Sequence, residues 1–164
     1  MMSVVKKQVE IVRIGPADYA AFSALLEWRR TGREGVETTR YQTEQLQQFM
    51  QQYRVLDSDM FFIYAAKVDG NLVGYINAII IPKPEPRLGT MYIDELWTAP
   101  QYRGMGIAGQ LLAVVTRLAK QLNLWRVRLY VSTDNDAART CYRKAGFVEK
   151  GDCLFCEVDV AEIN

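Results

Sequence analysis

The sequence predicts an α/β chain: a single domain over residues 1–164 in which a central mixed β-sheet is flanked by helices. Three observations predict it. Hydrophobic periodicity runs in the order strand, two helices, three strands, helix, strand, helix, two strands. Asp69-Gly70-Asn71, set between two apolar runs, is a hairpin signal. From Met91 to Leu122 an apolar strand passes through a glycine-bearing turn into a long amphipathic helix.

The elements follow in order. Val9 to Ile14 alternates apolar and charged residues and is expected to be an edge or first strand. Gly15-Pro16-Ala17-Asp18 opens a helix carrying Tyr19, Phe22, Leu25, Leu26 and Trp28. Arg29 to Thr39 has two glycines, many charges and no apolar period, so it is read as a loop. Tyr41 to Arg54 is a second helix with Leu46, Phe49, Met50 and Tyr53 on one side. Phe61 to Val68 and Leu72 to Ile81 are strands, and Pro82, Pro84 and Pro86 enforce a ladder-free connection to the next strand near Thr90. That strand ends at Thr98, before Pro100. Ile107, Leu111, Val115, Leu118 and Leu122 recur at helical spacing. Trp125 to Val131 is a strand, Asn135 to Ala145 a helix closed by Gly146, and Phe147 to Val160 a final pair of strands around Lys150-Gly151-Asp152.

Bulk properties exclude several function classes. The 164 residues suffice to bury a core without disulfides or metals. A net charge of +1 leaves no electrostatic footprint for nucleic acid or an anionic membrane. No apolar run approaches the roughly 20 residues of a membrane span. The N-terminal MMSVVKKQVEIV lacks the features of a signal peptide, so a cytoplasmic location is expected. With no histidine, a Ser-His-Asp triad, a His-ligated zinc and an imidazole base are all unavailable, and no metal role is assigned. Cys153-Leu-Phe-Cys156 spells C-x-x-C, but it lies in an expected strand rather than at a helix start, so buried thiols are predicted.

The turn Gln101-Tyr-Arg103-Gly104-Met105-Gly106 precedes a helix start. Unpaired amides and the positive end of the helix dipole meet there, glycines allow close approach to the main chain, and Arg103 adds a cationic fork. This is a place for a phosphate. Gly104-x-Gly106-x-x-Gly109 also spells a dinucleotide fingerprint, but Ala99 to Arg103 separate it from the strand and position 129 is Leu where an acid is required. A P-loop is excluded because no Gly-Lys-Ser/Thr follows.

Gln101-x-x-Gly104-x-Gly106 after such a strand resembles the acyl-CoA pyrophosphate loop of the GNAT superfamily of N-acetyltransferases. Asn135-Asp-Ala-Ala138-Arg-Thr-Cys-Tyr142-Arg-Lys-Ala-Gly146-Phe147 resembles that family's second signature, N-x-x-A-x-x-x-Y-x-x-x-G-F. The two motifs cover roughly residues 90 to 150, and their joint occurrence in order is more specific than either alone.

The resemblance implies a sheet splayed at the central strand, and acetyl transfer from acetyl-CoA to a primary amine within a ternary complex. The stretch Leu96, Trp97 and Thr98 would bind the cofactor, with the freed amides of Leu96 and Thr98 on the pantetheine and the thioester oxygen near Leu96. Gln101, Arg103, Gly104, Met105, Gly106, Ile107, Ala108 and Gly109 would hold the pyrophosphate. Asn135 and Ala138 would line the CoA arm, and Arg143 or Lys144 would meet its phosphates. Tyr142 would protonate the departing thiolate, as an ordinary phenol can. Glu95, ahead of Asp94, would deprotonate or orient the ammonium, with water as the alternative base. Successive strand residues face opposite ways, so only one acid looks into the site unless a bulge re-aims the other. Trp97 either narrows the acceptor site or packs on the far side, and Ala108 stands where the family often has glycine.

The acceptor is expected to be a small cationic amine held by the helices that precede the sheet. The connection Ile81-Pro82-Lys83-Pro84-Glu85-Pro86-Arg87 before Tyr92-Ile93-Asp94-Glu95-Leu96 resembles that of aminoglycoside 3-N-acetyltransferases. That resemblance makes an antibiotic an alternative acceptor; a protein N-terminus or a lysine is another, and an acyl-CoA sensor is the non-enzymatic alternative. The oligomeric state stays open, with a homodimer as one option.

Overall fold

The computed structural model describes residues 8–35, 39–86, 88–152 and 154–157. Its strands are β1 (Val9–Arg13), β2 (Phe61–Val68), β3 (Asn71–Ile81), β4 (Thr90–Thr98) and β5 (Arg126–Leu129). Its helices are α1 (Tyr19–Thr31), α2 (Arg40–Gln52), α3 (Ile107–Gln121) and α4 (Asp136–Lys144). Short 3-10 turns at Pro16–Asp18 and Pro100–Tyr102 lead into α1 and out of β4. The strands form one sheet in chain order, antiparallel from β1 through β4 and parallel between β4 and β5. The expected mixed sheet with helices on it is the observed architecture.

Two apolar layers sandwich the sheet. On one face Ile107, Leu111, Leu112 and Val115 of α3 pack on Val73, Ile76, Ala78, Met91 and Ile93, with Tyr142 of α4 at the margin. On the other, Phe22, Leu25 and Trp28 of α1 and Met50 of α2 cover Ile63, Ala65 and Tyr75. A fully buried leucine or isoleucine here contributes roughly 1.5–3 kcal/mol through removal from water.

Two boundaries depart from the sequence reading. Arg29 to Thr31 continue α1 instead of opening a loop. Gly32, left-handed at φ 71°, ends the helix by donating its N–H to Trp28 O at 2.8 Å. The dense charge of this segment hid a last turn that the burial of Trp28 holds in place. β5 is shorter than expected, running from Arg126 to Leu129, and Tyr130 beyond it is largely exposed.

The predicted final strands are absent among the described residues: 147–152 and 154–157 carry no regular structure. Val148, Leu154 and Phe155 have strand propensity but are exposed, and a ladder needs a neighbouring strand as well as suitable residues. Cys156 is exposed rather than buried, because its segment has no layer over it. Residues 1–7, 36–38, Arg87, Cys153 and the end of the predicted last strand, 158–164, lie outside the described residues. No helix among the described residues is long and apolar enough to cross a membrane.

Candidate active site

β3 and β4 lose register at one point. Asn77 pairs with Glu95 while Ala78 pairs with Ile93, so Asp94 is an extra residue, a β-bulge in the centre of the sheet. An unbroken strand would put residues 93, 95 and 97 on one face. With the bulge, Met91, Ile93 and Leu96 belong to the α3 layer and Trp97 to the α1 layer. Asn77 stabilises the irregularity: its Oδ1 accepts the Glu95 N–H at 2.6 Å.

The bulge turns Glu95 toward α1. The Tyr75 hydroxyl donates to its Oε2 at 2.7 Å, and Arg29 donates from Nη1 to its Oε1 and, at 2.6 Å, to the Tyr75 hydroxyl. The Arg29 guanidinium carbon also lies 5.8 Å from the Tyr75 ring centroid. Burial, followed by the hydrogen bond to Glu95, pushes the Tyr75 phenol far above its ordinary value, so it is a standing donor. Burial pulls the Arg29 pKa down, but its bond to Glu95 and the charges around it outweigh this and leave it raised. Glu95 remains partly open, with its side chain 30% exposed, and Asp94 is exposed beside it.

The same strand loses its partner on the other side. β4 pairs with β5 only from Thr90 to Ile93, then runs on to Thr98 alone. Successive N–H groups alternate across a strand. Those of Glu95 and Ala99 bond toward β3, to Asn77 and to Val73 O. The Leu96 and Thr98 amides therefore point to the vacated side.

Past β4, Gly104 and Gly106 are left-handed, at φ 78° and 77°, and a Cβ on either would meet nothing within 4 Å. Gly106 leads directly into α3 without a side-chain cap, so the first amides of that helix face an open cradle. Ile107 buries its side chain in the core and can offer only its amide; Met105 is partly buried on the same layer, and Gly109 is exposed. Arg103 Nε donates to Thr98 O at 3.3 Å, tying this turn to the end of β4. Gln101 points elsewhere: its Nε2 donates to Glu34 Oε2 at 2.9 Å, joining the turn to the segment after α1.

On α4, Asn135 is the N-cap, accepting the Ala138 N–H at 3.1 Å. Tyr142 is half-buried with its ring 5.9 Å from that of Phe147. Among the described residues its hydroxyl makes no hydrogen bond. Burial first, and Cys141 second, raise its pKa above the usual tyrosine value. Arg143 reaches Glu149 Oε1 at 3.4 Å and Thr140 Oγ1 at 3.2 Å, while Lys144 is exposed. Tyr142 and Glu95 thus belong to opposite layers, with the length of β4 that lacks a β5 partner between them. Trp97 packs edge-on against Trp28 at 5.9 Å, in the layer of Glu95.

Sequence reasoning missed Arg29, Tyr75 and Asn77. Asn77 carried a signal, as a polar residue within the apolar run of β3. Arg29 and Tyr75 carried none, since a charged helix end and a strand tyrosine are ordinary. Among the described residues no group of three or more Cys, Asp or Glu could hold a metal ion.

The order and pairing of the five strands and four helices define the class of fold, and solved structures share that fold. The aminoglycoside N-acetyltransferase AAC(6')-Iy, in complex with the bisubstrate analogue CoA-S-monomethyl-acetylneamine, superposes with a TM-score of 0.71 at 17% identity, over 93% of this chain and 99% of that one. The ribosomal-protein-alanine N-acetyltransferase of Brucella melitensis biovar Abortus 2308 does so at 0.66 and 21% identity, over 92% and 99%. The model of the Acetyltransferase (GNAT) family matches residues 22–147, and the chain belongs to that family. Among curated proteins, a mycothiol acetyltransferase of Paenarthrobacter aurescens (strain TC1) is 32% identical over 89 residues, which are 53% of this chain and 27% of that protein. The chain thus spans under a third of the length of the curated relatives that it matches.

Proposed function

We propose that the chain transfers an acetyl group from acetyl-CoA to the primary amine of a small molecule, by direct attack within a ternary complex. One observation carries this reading above the others. The carboxylate of Glu95 and the free amides of Leu96 and Thr98 meet on one irregular strand, which leads straight into the left-handed Gly104/Gly106 turn.

Each residue then has a task. The amides at Gly104, Gly106, Ile107 and Ala108, with Arg103 beside them, bind the diphosphate at the positive end of α3. The Leu96 and Thr98 amides align the pantetheine arm as a missing strand would, and the Leu96 amide donates to the thioester oxygen as charge develops there. Glu95 orients the acceptor ammonium and takes its proton, directly or through water. The amine nitrogen then bonds to the acetyl carbon as the carbon–sulfur bond breaks. Tyr142, whose hydroxyl is unpartnered among the described residues, gives its proton to the departing sulfur from the opposite layer, and the second proton shed by the nitrogen passes through water to restore the phenol.

A small-molecule acceptor is favoured by how Glu95 is held: Arg29 and Tyr75 bind its two oxygens and leave only 30% of the side chain exposed. Names among the relatives point the same way, through acetylneamine in one complex and mycothiol in the curated proteins. The alanine-directed relative makes a protein N-terminus the competing acceptor. The test is CoA release over a panel of amines, alongside thermal stabilisation by acetyl-CoA. Ligand at 100 times its dissociation constant adds about 2.7 kcal/mol to folding. Stabilisation by acetyl-CoA with release on small amines supports the proposal. Stabilisation without release on any amine would leave a binding protein.

A further inference from the structure

Glu95 is in direct contact with a cation of the chain itself, and only half of that cation is occupied. Both hydrogens of Arg29 Nη1 have partners, Glu95 Oε1 and the Tyr75 hydroxyl. Its Nε and Nη2 have none among the described residues, although the side chain is 39% exposed. Those two nitrogens form the side edge of the guanidinium, which accepts a carboxylate through two parallel hydrogen bonds. The next arginine shows the contrast: Arg30 closes this edge on Glu27, with Nε at 2.9 Å and Nη2 at 2.5 Å.

Arg29 is also held in place. Its anchors are a phenol that is 1% exposed, a carboxylate that this phenol holds in turn, and the Tyr75 ring face. A cation fixed at one edge and open at the other is already organised to receive an anion. Charge points the same way. Arg29 and Glu95 nearly cancel, so a simple ammonium gains little net attraction from the pair. A molecule bearing ammonium and carboxylate a few ångströms apart matches the pair group for group.

We propose that Arg29 is a specificity-determining residue whose free guanidinium edge binds a carboxylate next to the acceptor's amine, making the acceptor class amino acids and related zwitterions. This rests on Glu95 being the acceptor-side carboxylate. It also narrows the small cationic amine to one that carries its own anion.

The experiment compares matched acceptors at saturating acetyl-CoA: alanine against alaninamide and ethylamine, phenylalanine against phenethylamine, and lysine against cadaverine. The expected kcat/KM advantage for the carboxylate-bearing member is on the order of 10- to 100-fold, the worth of hydrogen bonds to a charged group. Arg29→Gln should bring that ratio toward one, and Arg29→Lys should retain part of it. Tyr75→Phe disturbs the same cluster but leaves the guanidinium, so it should lower both members of a pair and preserve the ratio. Thermal melting establishes that each variant is folded. Turnover without preference, an unchanged ratio in Arg29→Gln, or an Arg29→Gln effect confined to the KM of acetyl-CoA would overturn the assignment. Absence of turnover with every amine would instead overturn the acetyl-transfer reading beneath it.

Discussion

The Tyr75 hydroxyl donates to Glu95 Oε2 at 2.7 Å, linking a phenol that is 1% exposed to the carboxylate at the bulge. Register sets Tyr75 opposite Trp97, so the bond runs diagonally across two strands, within reach of a long aromatic side chain. The core therefore fixes the aim of the site. Tyr75→Phe keeps the ring and its edge-on contact with Phe22 at 5.5 Å and removes only the donor. The expected cost is about 1 kcal/mol in stability. Acceptor kcat/KM should fall about 10-fold with the acetyl-CoA KM little changed; steady-state kinetics checks both.

The same phenol predicts alkaline behaviour. Its folded pKa is raised by burial and by Glu95, so the folded state holds its proton more tightly than the unfolded chain does. That stability is fully present below the unfolded value near 10 and is lost as pH rises from there toward the folded pKa. Urea melts between pH 8 and pH 11 should show a steeper alkaline loss in the wild type than in Tyr75→Phe.

Tyr142→Phe should lower kcat about 100-fold, within the span of general acid catalysis, while acetyl-CoA affinity changes less than about 3-fold. Because burial raises its pKa, the phenol stays protonated through neutral pH, and wild-type kcat should decline only above about pH 10. Wild-type turnover in the variant at saturating substrates would remove its assigned role.

Much of this was legible in the residues. The helical spacing of Ile107, Leu111 and Val115, the Asp69-Gly70 hairpin and the Gly104/Gly106 turn are local patterns, and local patterns survive folding. The bulge is another matter. It depends on how Asn77 and Glu95 meet across two strands, and strand alternation alone left open which acid faces α1. The Arg29–Tyr75–Glu95 cluster joins residues 46 and 66 positions apart, a proximity that no periodicity encodes. The expected final strands failed for a related reason: Val148, Leu154 and Phe155 satisfy strand propensity, but pairing depends on a partner.

Gly104→Val should weaken acetyl-CoA binding at least 10-fold and leave the protein folded. Gly104 sits at φ 78° with free space around it, so the substitution brings backbone strain of roughly 1–3 kcal/mol rather than a clash. Gly70→Val, at φ 82° in the β2–β3 turn, is the matched control. It should show similar destabilisation with wild-type acetyl-CoA affinity, and calorimetric titration of both variants separates strain from ligand contact.

The central claim is that main-chain amides from Leu96 to Ala108 grip the cosubstrate. An amide-resolved NMR titration with CoA measures those groups one by one. The largest shifts are expected at Leu96, Thr98, Gly104, Gly106, Ile107 and Ala108, reaching saturation together. Saturable binding that leaves these amides unmoved and shifts others would contradict that claim.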